Sequence, residues 1–341
     1  MNRLLTNKTR QAIGISRGRF LGLVQSFKKA KILVVGDFIL DQFIWGEVNR
    51  ISPEAPVPVV QVKRDSYMPG GALNVAHNIL TLGGKVFPSG IVGRDLLGRM
   101  LVKVMKNHMV DTGGVIYDAV RPTTQKTRII AHSQQVVRFD REAVGDVPPK
   151  NLAKILNYVG KKIREMDAVI IEDYDKGVVN PQLIRGILKL AKKYKKLVLV
   201  DPKEKHFPYY KGVTAITPNR KEACGGLGYH MANDKFTIEQ VGNKLLRKLS
   251  CQMVLITLGE EGMALFEKDQ KVLRIPTAAQ EVFDVSGAGD TVIAVFALCL
   301  ASGASAREAA LISNLAAGIV VGKLGTATVS PEELMESFSK Q

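Results

Sequence analysis

The sequence predicts an α/β fold: a mostly parallel sheet covered by helices on both faces, with a small β-sheet lid. Three observations carry this. The runs "DAVIIEDY", "KLVLVDPK", "GVTAITPN" and "QMVLITLG" are apolar without alternation, and segments of helical pattern lie between them. Strands of that kind are buried on both faces, as in parallel sheets. Two stretches, at about 42–66 and 120–141, are rich in β-formers but are broken by prolines or alternate in polarity, which suits a small separate sheet. The length of 341 residues with 46% hydrophobic content supports one large domain with an ample core.

Taken in order, Phe20, Leu23, Val24 and Phe27 fall at i, i+3, i+4 and i+7, one face of a short helix. "KILVVGDFILD" (31–41) reads as a buried strand ending in Gly36 and an acid. The following stretch holds Pro53, Pro56 and Pro58, which restricts it to edge strands or a flap. "GGALNVAHNILTLGG" (70–84) is a Gly-Gly turn opening a helix that Gly83 and Gly84 end. "KVFPSGIVG" reads as a strand, "RDLLGRMLVKVMKNHMV" as a helix and 123–141 as a hairpin. Helices are predicted at about 150–165, 181–194, from 219 and at 237–249, each preceding or following one of the apolar strands. Ligands of such sheets bind beyond the carboxyl ends of the strands, which here carry Asp37, Asp41, Asp173, Asp201, Asn219 and Gly259. Neither a linker nor a repeat divides the chain, so 19–341 reads as one domain.

The net charge is +16, and eight of the basic residues precede the first acidic one, Asp37. Without them 40 basic residues face 32 acidic ones, a net +8. Residues 1–18 read as a basic extension, and the basic excess suits a polyanion or a phosphorylated small molecule. Cys224, Cys251 and Cys299 are odd in number and widely spaced, matching neither a disulfide framework nor a zinc site, which predicts a reducing, cytoplasmic setting. No apolar run reaches the roughly 18 residues of a membrane span.

"DVSGAGDTV" (284–292) sets two glycines around an alanine, then a carboxylate, where an amphipathic helix is predicted to begin. A helix N-terminus offers free N–H groups, and glycine lets backbone approach a phosphate. Gly287, Ala288 and Gly289 can therefore form an anion hole. Asp290 beside it would repel the ligand unless it accepts a proton from a hydroxyl attacking the phosphoryl group. Alone, this GAGD would more often be read as a helix cap. No GxxxxGK[ST] occurs, GxGxxG fails at Val292, and protein-kinase signatures are absent.

These residues belong to a wider pattern. "DVSGAGDTV" resembles the C-terminal signature of the ribokinase-like, PfkB-type sugar kinases, "GGALNVAHNILTLGG" their N-terminal signature, and "TPNRKEA" their Asn-x-x-Glu motif. "GDFILDQFIWGEVNRISPEAPVPVV", "EDYDKG", "VDPK" and "GIVVGKLGTATVSP" resemble the heptose-7-phosphate kinase branch, the first half of a bifunctional ADP-heptose synthase in many bacteria. The resemblance spans about 20–335 and implies a ribokinase-like fold and ATP-dependent phosphorylation of a sugar. Since the chain stops at Gln341, it is expected to be a stand-alone kinase without the nucleotidyltransferase half. For the heptose branch the acceptor is D-glycero-β-D-manno-heptose 7-phosphate, phosphorylated at O1 toward ADP-heptose for the lipopolysaccharide core.

The resemblance also implies roles. Asp290 is the base, with Gly287, Ala288 and Gly289 as the anion hole. Asn219 and Glu222 position Mg²⁺, largely through water. Asp41, Gly70, Gly71 and Asn74 hold sugar hydroxyls. Thr257, Gly259 and Gly262 line the nucleotide's phosphates, and Asn314 sits beside adenine. Asp284 matches a position that helps bind a monovalent cation, K⁺. Some relatives carry a lysine after the double glycine, where this chain has Ala72, so the cation for the acceptor's phosphate comes from elsewhere; Arg128 and Lys176 are the candidates. The expected partners are a sugar phosphate, ATP and a second subunit bound through the lid. Two alternatives remain open at this point: a kinase of the same fold acting on fructose, ribose or a nucleoside, and a nucleic-acid or membrane-surface binder using the basic arm. Phe20 is the first aromatic residue and no RNA-binding signature occurs, so a specific nucleic-acid partner is not expected.

Overall fold

The computed structural model describes residues 13–108, 110–132, 134–229 and 236–340. Residues 1–12, most of the predicted basic extension, lie outside the described residues. Helix α1 (Arg17–Ser26) leads to strand β1 (Lys31–Gly36), the long hairpin β2 (Phe38–Ile51) and β3 (Pro58–Gly71), helix α2 (Ala72–Thr81), β4 (Lys85–Gly93), α3 (Leu96–Asn107) and β5 (Val115–Asp118). A second hairpin, β6 (Thr124–Ala131) and β7 (Gln134–Arg141), precedes α4 (Pro149–Lys162), β8 (Ala168–Glu172), α5 (Pro181–Tyr194), β9 (Leu197–Asp201), β10 (Ala215–Ile216), α6 (Arg220–Gly225), α7 (Ile238–Leu249) and β11 (Met253–Thr257). The chain then adds β12 (Met263–Glu267), β13 (Leu273–Ile275), α8 (Ala288–Ala301), α9 (Ala306–Val320) and α10 (Pro331–Lys340).

Nine strands form one sheet in the order β13-β12-β11-β10-β9-β8-β1-β4-β5, and four form a second in the order β3-β2-β6-β7. In the large sheet only β12 and β13 run antiparallel to their neighbours. Alternation along each buried strand divides the core in two. Ile32 and Val34 pack with α1, α2, α3, α8, α9 and α10, whereas Leu33 and Val35 pack with α4, α5 and α7. The parallel strands thus read as unbroken apolar runs because both faces are covered.

Two expectations are corrected and a third is extended. The strand within 31–41 ends at Gly36 as expected, and beyond Asp37 the chain continues as a second strand in the other sheet. Asp37 is buried, and its carboxylate accepts backbone N–H bonds from Tyr174, Lys176 and Val178, so the chain leaves the large sheet at this residue. The proline-broken stretch is not all edge: Pro53 and Pro56 lie in the hairpin connection and Pro58 opens edge strand β3, which leaves β2 free of proline and internal. Helix α8 is not amphipathic. Val292 to Cys299 are all buried because the helix runs between α2 and α9.

Helix α1 shows how local sequence fixes an outer element. Ser16 accepts a hydrogen bond from the Arg19 N–H at 3.1 Å, capping the helix. Phe20, Leu23, Val24 and Phe27 are buried as their spacing predicts, and Ile15 joins the same core. Phe20 stacks on Phe338 of α10 with ring centroids 3.9 Å apart. Phe20→Ala is expected to cost about 3–5 kcal/mol, read as a lower urea midpoint at unchanged m-value; a midpoint within error of wild type would show that α1 is not part of the cooperative unit.

Candidate active site

The carboxyl ends of β1, β8 and β9 meet the N-terminus of α8 at one edge of the large sheet. Gly287, the N-cap of α8, adopts φ +79°, a left-handed conformation that favours glycine. A Cβ there would stand 2.5 Å from the Asn74 amide nitrogen, so the glycine also admits Asn74. Asp290 follows in the first turn and is buried. Its Oδ2 accepts from Asn74 Nδ2 at 2.7 Å and its Oδ1 from the Tyr174 hydroxyl at 2.8 Å. Burial pushes the Asp290 carboxyl up to about 6, against the pull of the Asn74 and Tyr174 donors. A carboxylate poised there ionises near neutral pH and still accepts a proton usefully.

Two more carboxylates stand beside it, Glu172 buried and Asp201 half-buried. Glu172 ends β8 and Asp201 ends β9; with Asp290 they offer oxygen atoms that all lie within 4.8 Å of one another. Burial, then the charge of Asp201, raises Glu172, while burial and then Glu222 raise Asp201. Both Glu172 carboxylate oxygens are buried without a hydrogen-bond partner among the described residues. An all-oxygen donor set with unspent lone pairs fits Mg²⁺. Lys203 pairs with Glu222 and lies over the Tyr174 ring at 5.3 Å, placing a cation beside the acids.

The other predicted residues fall as follows. Asn219 and Glu222 form a capping box at α6, and Glu222 Oε2 accepts from the Asn219 N–H at 3.0 Å. Asp41 is buried on β2 with its Oδ1 on the Arg128 guanidinium, and a side chain at Gly70 would collide with Asp41 Oδ2. Gly71 is the N-cap position of α2. Asn74 turns its amide to Asp290, and Asn78 supports it by donating to the Asn74 carbonyl at 3.0 Å. Lys176 pairs with Glu142 at 2.8 Å. The Ala288 N–H turns back to the Val285 carbonyl at 3.2 Å, whereas Gly289 faces Asp201. Thr257 ends β11 and bridges to Asn219, while Gly259 and Gly262 bracket the turn that follows. Asn314 is buried in α9 and donates to the Pro276 carbonyl at 2.8 Å. Asp284 accepts from the Ser286 N–H at 2.9 Å and the Gly325 N–H at 3.0 Å, joining two loops.

Two of the strand-end acids turn away from this edge. Asp173 accepts from the Tyr210 hydroxyl and bonds His206 Nδ1 at 2.7 Å, while Asp37 holds the 174–178 loop; both are structural. Glu172 and Tyr174 were missed by sequence reasoning. The signal was "EDYD": successive residues of a strand face opposite ways, so only one of the two adjacent acids can enter the site.

Residues 29–333 match the pfkB family carbohydrate kinase. The chain belongs to this family of carbohydrate kinases. Among curated relatives it is 44% identical over 318 residues to the bifunctional protein HldE of Desulfatibacillum aliphaticivorans, covering 93% of this chain and 65% of that protein. It is 45% identical over 305 residues to the bifunctional protein HldE of Helicobacter pylori strain J99, covering 89% of this chain and 65% of that one. The chain therefore spans under two thirds of the length of these relatives. Phosphofructokinase-2 from Escherichia coli in complex with potassium superposes with TM-score 0.75 at 17% identity, over 91% of this chain and 98% of that one. Ribokinase from Arabidopsis thaliana complexed with ribose and ATP gives TM-score 0.70 at 19% identity, over 90% and 98%. No helix among the described residues is long and apolar enough to cross a membrane.

The Tyr174 hydrogen bond makes a kinetic prediction. Its hydroxyl lowers the Asp290 pKa, so Tyr174→Phe raises it, and Asp290 acting as a base would have to be deprotonated to work. The acid limb of kcat/KM moves to higher pH, costing roughly tenfold at pH 6 and much less at pH 8. An equal loss at both values would assign Tyr174 a packing role only.

Proposed function

We propose that this kinase transfers the γ-phosphoryl group of ATP to O1 of D-glycero-β-D-manno-heptose 7-phosphate, giving the 1,7-bisphosphate. The observation that carries the chemistry is Asp290, a buried carboxylate at a glycine-opened helix N-terminus, oriented on both oxygens by Asn74 and Tyr174. The choice of heptose is supported by the motifs shared with the heptose-7-phosphate kinase branch and by the identity to HldE proteins over most of this chain.

In this reading Asp290 takes the proton of the acceptor hydroxyl as that oxygen attacks, and the N–H groups at Gly287 and Gly289 serve the transferred phosphoryl group, while that of Ala288 is spent on the Val285 carbonyl. Asp41, Gly70 and Gly71 line the acceptor side, and Asn74 adds to it while holding the base. Thr257, Gly259 and Gly262 flank the nucleotide's phosphates and Asn314 its adenine. Glu172 and Asp201 would hold Mg²⁺, largely through water, with Asn219 and Glu222 behind them, where it would neutralise phosphate charge and leave Asp290 free as the base. Asp284 would serve K⁺, since each of its oxygens keeps a lone pair beyond the N–H bond it accepts.

Asp290→Asn keeps the shape and removes the proton acceptor. A fall in kcat of roughly 100-fold or more is expected, with ATP affinity little changed; near-normal turnover would remove Asp290 from the role. The acceptor is tested by comparing heptose 7-phosphate, unphosphorylated heptose, fructose 6-phosphate and ribose. A preference for ribose, or for any sugar without a phosphate, would overturn the heptose reading.

The small sheet is proposed to act as a lid and as the contact between two subunits. Its outer face carries Ile44, Ile129, Val137 and Phe139, with Val137 and Phe139 46% and 51% exposed. Apolar side chains on a sheet with open edges call for a covering partner. Sedimentation should give a dimer at micromolar concentration and Phe139→Glu a monomer; a wild-type monomer would refute the pairing.

A further inference from the structure

The inner face of the small sheet carries an imbalance of charge. Pairing register sets Asp41 of β2 beside Lys126 of β6, and Lys126 opposite Asp140 of β7; Phe43 lies beside Arg128, and Arg128 opposite Arg138. Positions two apart on a strand share a face, so three cations and two carboxylates stand together. The arginines take both acids: Arg128 pairs with Asp41, and Arg138 with Asp140. Arg128 also lies over the Phe43 ring, which fixes its orientation. Lys126 is left over. It is 8% exposed and forms no ion pair among the described residues.

Its ammonium group stands 4.5 Å from the centroid of the Tyr174 ring, the ring whose hydroxyl bonds Asp290. The lysine therefore faces the catalytic edge from the small-sheet side, a ring's breadth from the base. A buried ammonium without a counter-ion is costly, and the cation–π contact recovers only part of that cost. The two cations that the sequence offered for the acceptor's phosphate are both engaged, Arg128 with Asp41 and Lys176 with Glu142.

We infer that Lys126 is the specificity-determining residue for a phosphorylated acceptor: its ammonium receives the phosphate monoester that the sugar already carries. The inference rests on the sugar-phosphate reading above and names the group that enforces it. An anion entering from solvent supplies the missing counter-charge, so the empty site favours phosphorylated sugars over neutral ones. Neutral sugars leave the ammonium buried and unpaired, which turns an electrostatic defect into selection.

The test measures kcat and KM of wild type, Lys126→Met and Lys126→Arg with heptose 7-phosphate and with unphosphorylated heptose. Lys126→Met should raise the KM for heptose 7-phosphate by roughly 30-fold or more, with kcat changing far less. The ratio of kcat/KM for the phosphorylated over the plain sugar should collapse, and Lys126→Arg should restore most of it. If Lys126→Met instead lowers kcat in the same proportion for both sugars, the lysine serves the transferred phosphoryl group or the base, and the inference fails. If wild type prefers heptose 7-phosphate and Lys126→Met keeps that preference, this inference fails alone. If wild type has no preference for a phosphorylated acceptor, the proposed substrate and this inference fall together.

Discussion

Crowded, mostly buried carboxylates govern this molecule. Glu172, the half-buried Asp201 and Asp290 meet at one edge of the large sheet, with Asp37 and Asp173 just behind. Like charges in a low-dielectric setting resist ionisation together, so such a cluster persists only where the surroundings compensate. Asp37 is compensated by backbone N–H groups and Asp173 by His206 and Tyr210. Asp290 draws on Asn74 and Tyr174. Glu172 has no hydrogen bond among the described residues to offset its burial. The division separates acids that build the edge from acids left free for ligands.

The same logic sorts what could be read from the sequence. The parallel sheet was legible because strands buried on both faces lose their alternation, and α1 because its four apolar residues fall on one stripe. Asp290 was legible through the glycines beside it. The crossing into a second sheet after Asp37 was not, because "KILVVGDFILD" is equally apolar on either side; the turn is set by N–H groups from a loop more than 130 positions away. Nor was the choice between Glu172 and Asp173, which depends on strand phase. The partnering of Arg128 and Lys176 was hidden for a related reason: cross-strand register decides which charges meet, and register is a property of pairs of strands.

The small sheet joins the two halves of this account. Its β2 strand starts one residue past the Asp37 anchor, so the sheet is attached directly to the catalytic edge. Its inner face gathers Asp41, Lys126, Arg128, Arg138 and Asp140, and its outer face carries the apolar cluster Ile44, Ile129, Val137 and Phe139 beside Gln42, Gln125 and Thr127. A sheet charged on one face and bearing an apolar cluster on the other could cover a polar substrate and a second subunit at once.

Asn74 and Asp290, whose side chains share a hydrogen bond, stand 216 positions apart. During synthesis the ribosome releases the β2–β3 hairpin, α2 and strands β8 to β11 well before residue 290 emerges. A growing chain can thus build most of the sheet while still lacking the residue proposed to deprotonate the acceptor. On that proposal, truncated products would be unable to consume nucleotide, and phosphoryl transfer would be a property that appears only when the last helices have docked.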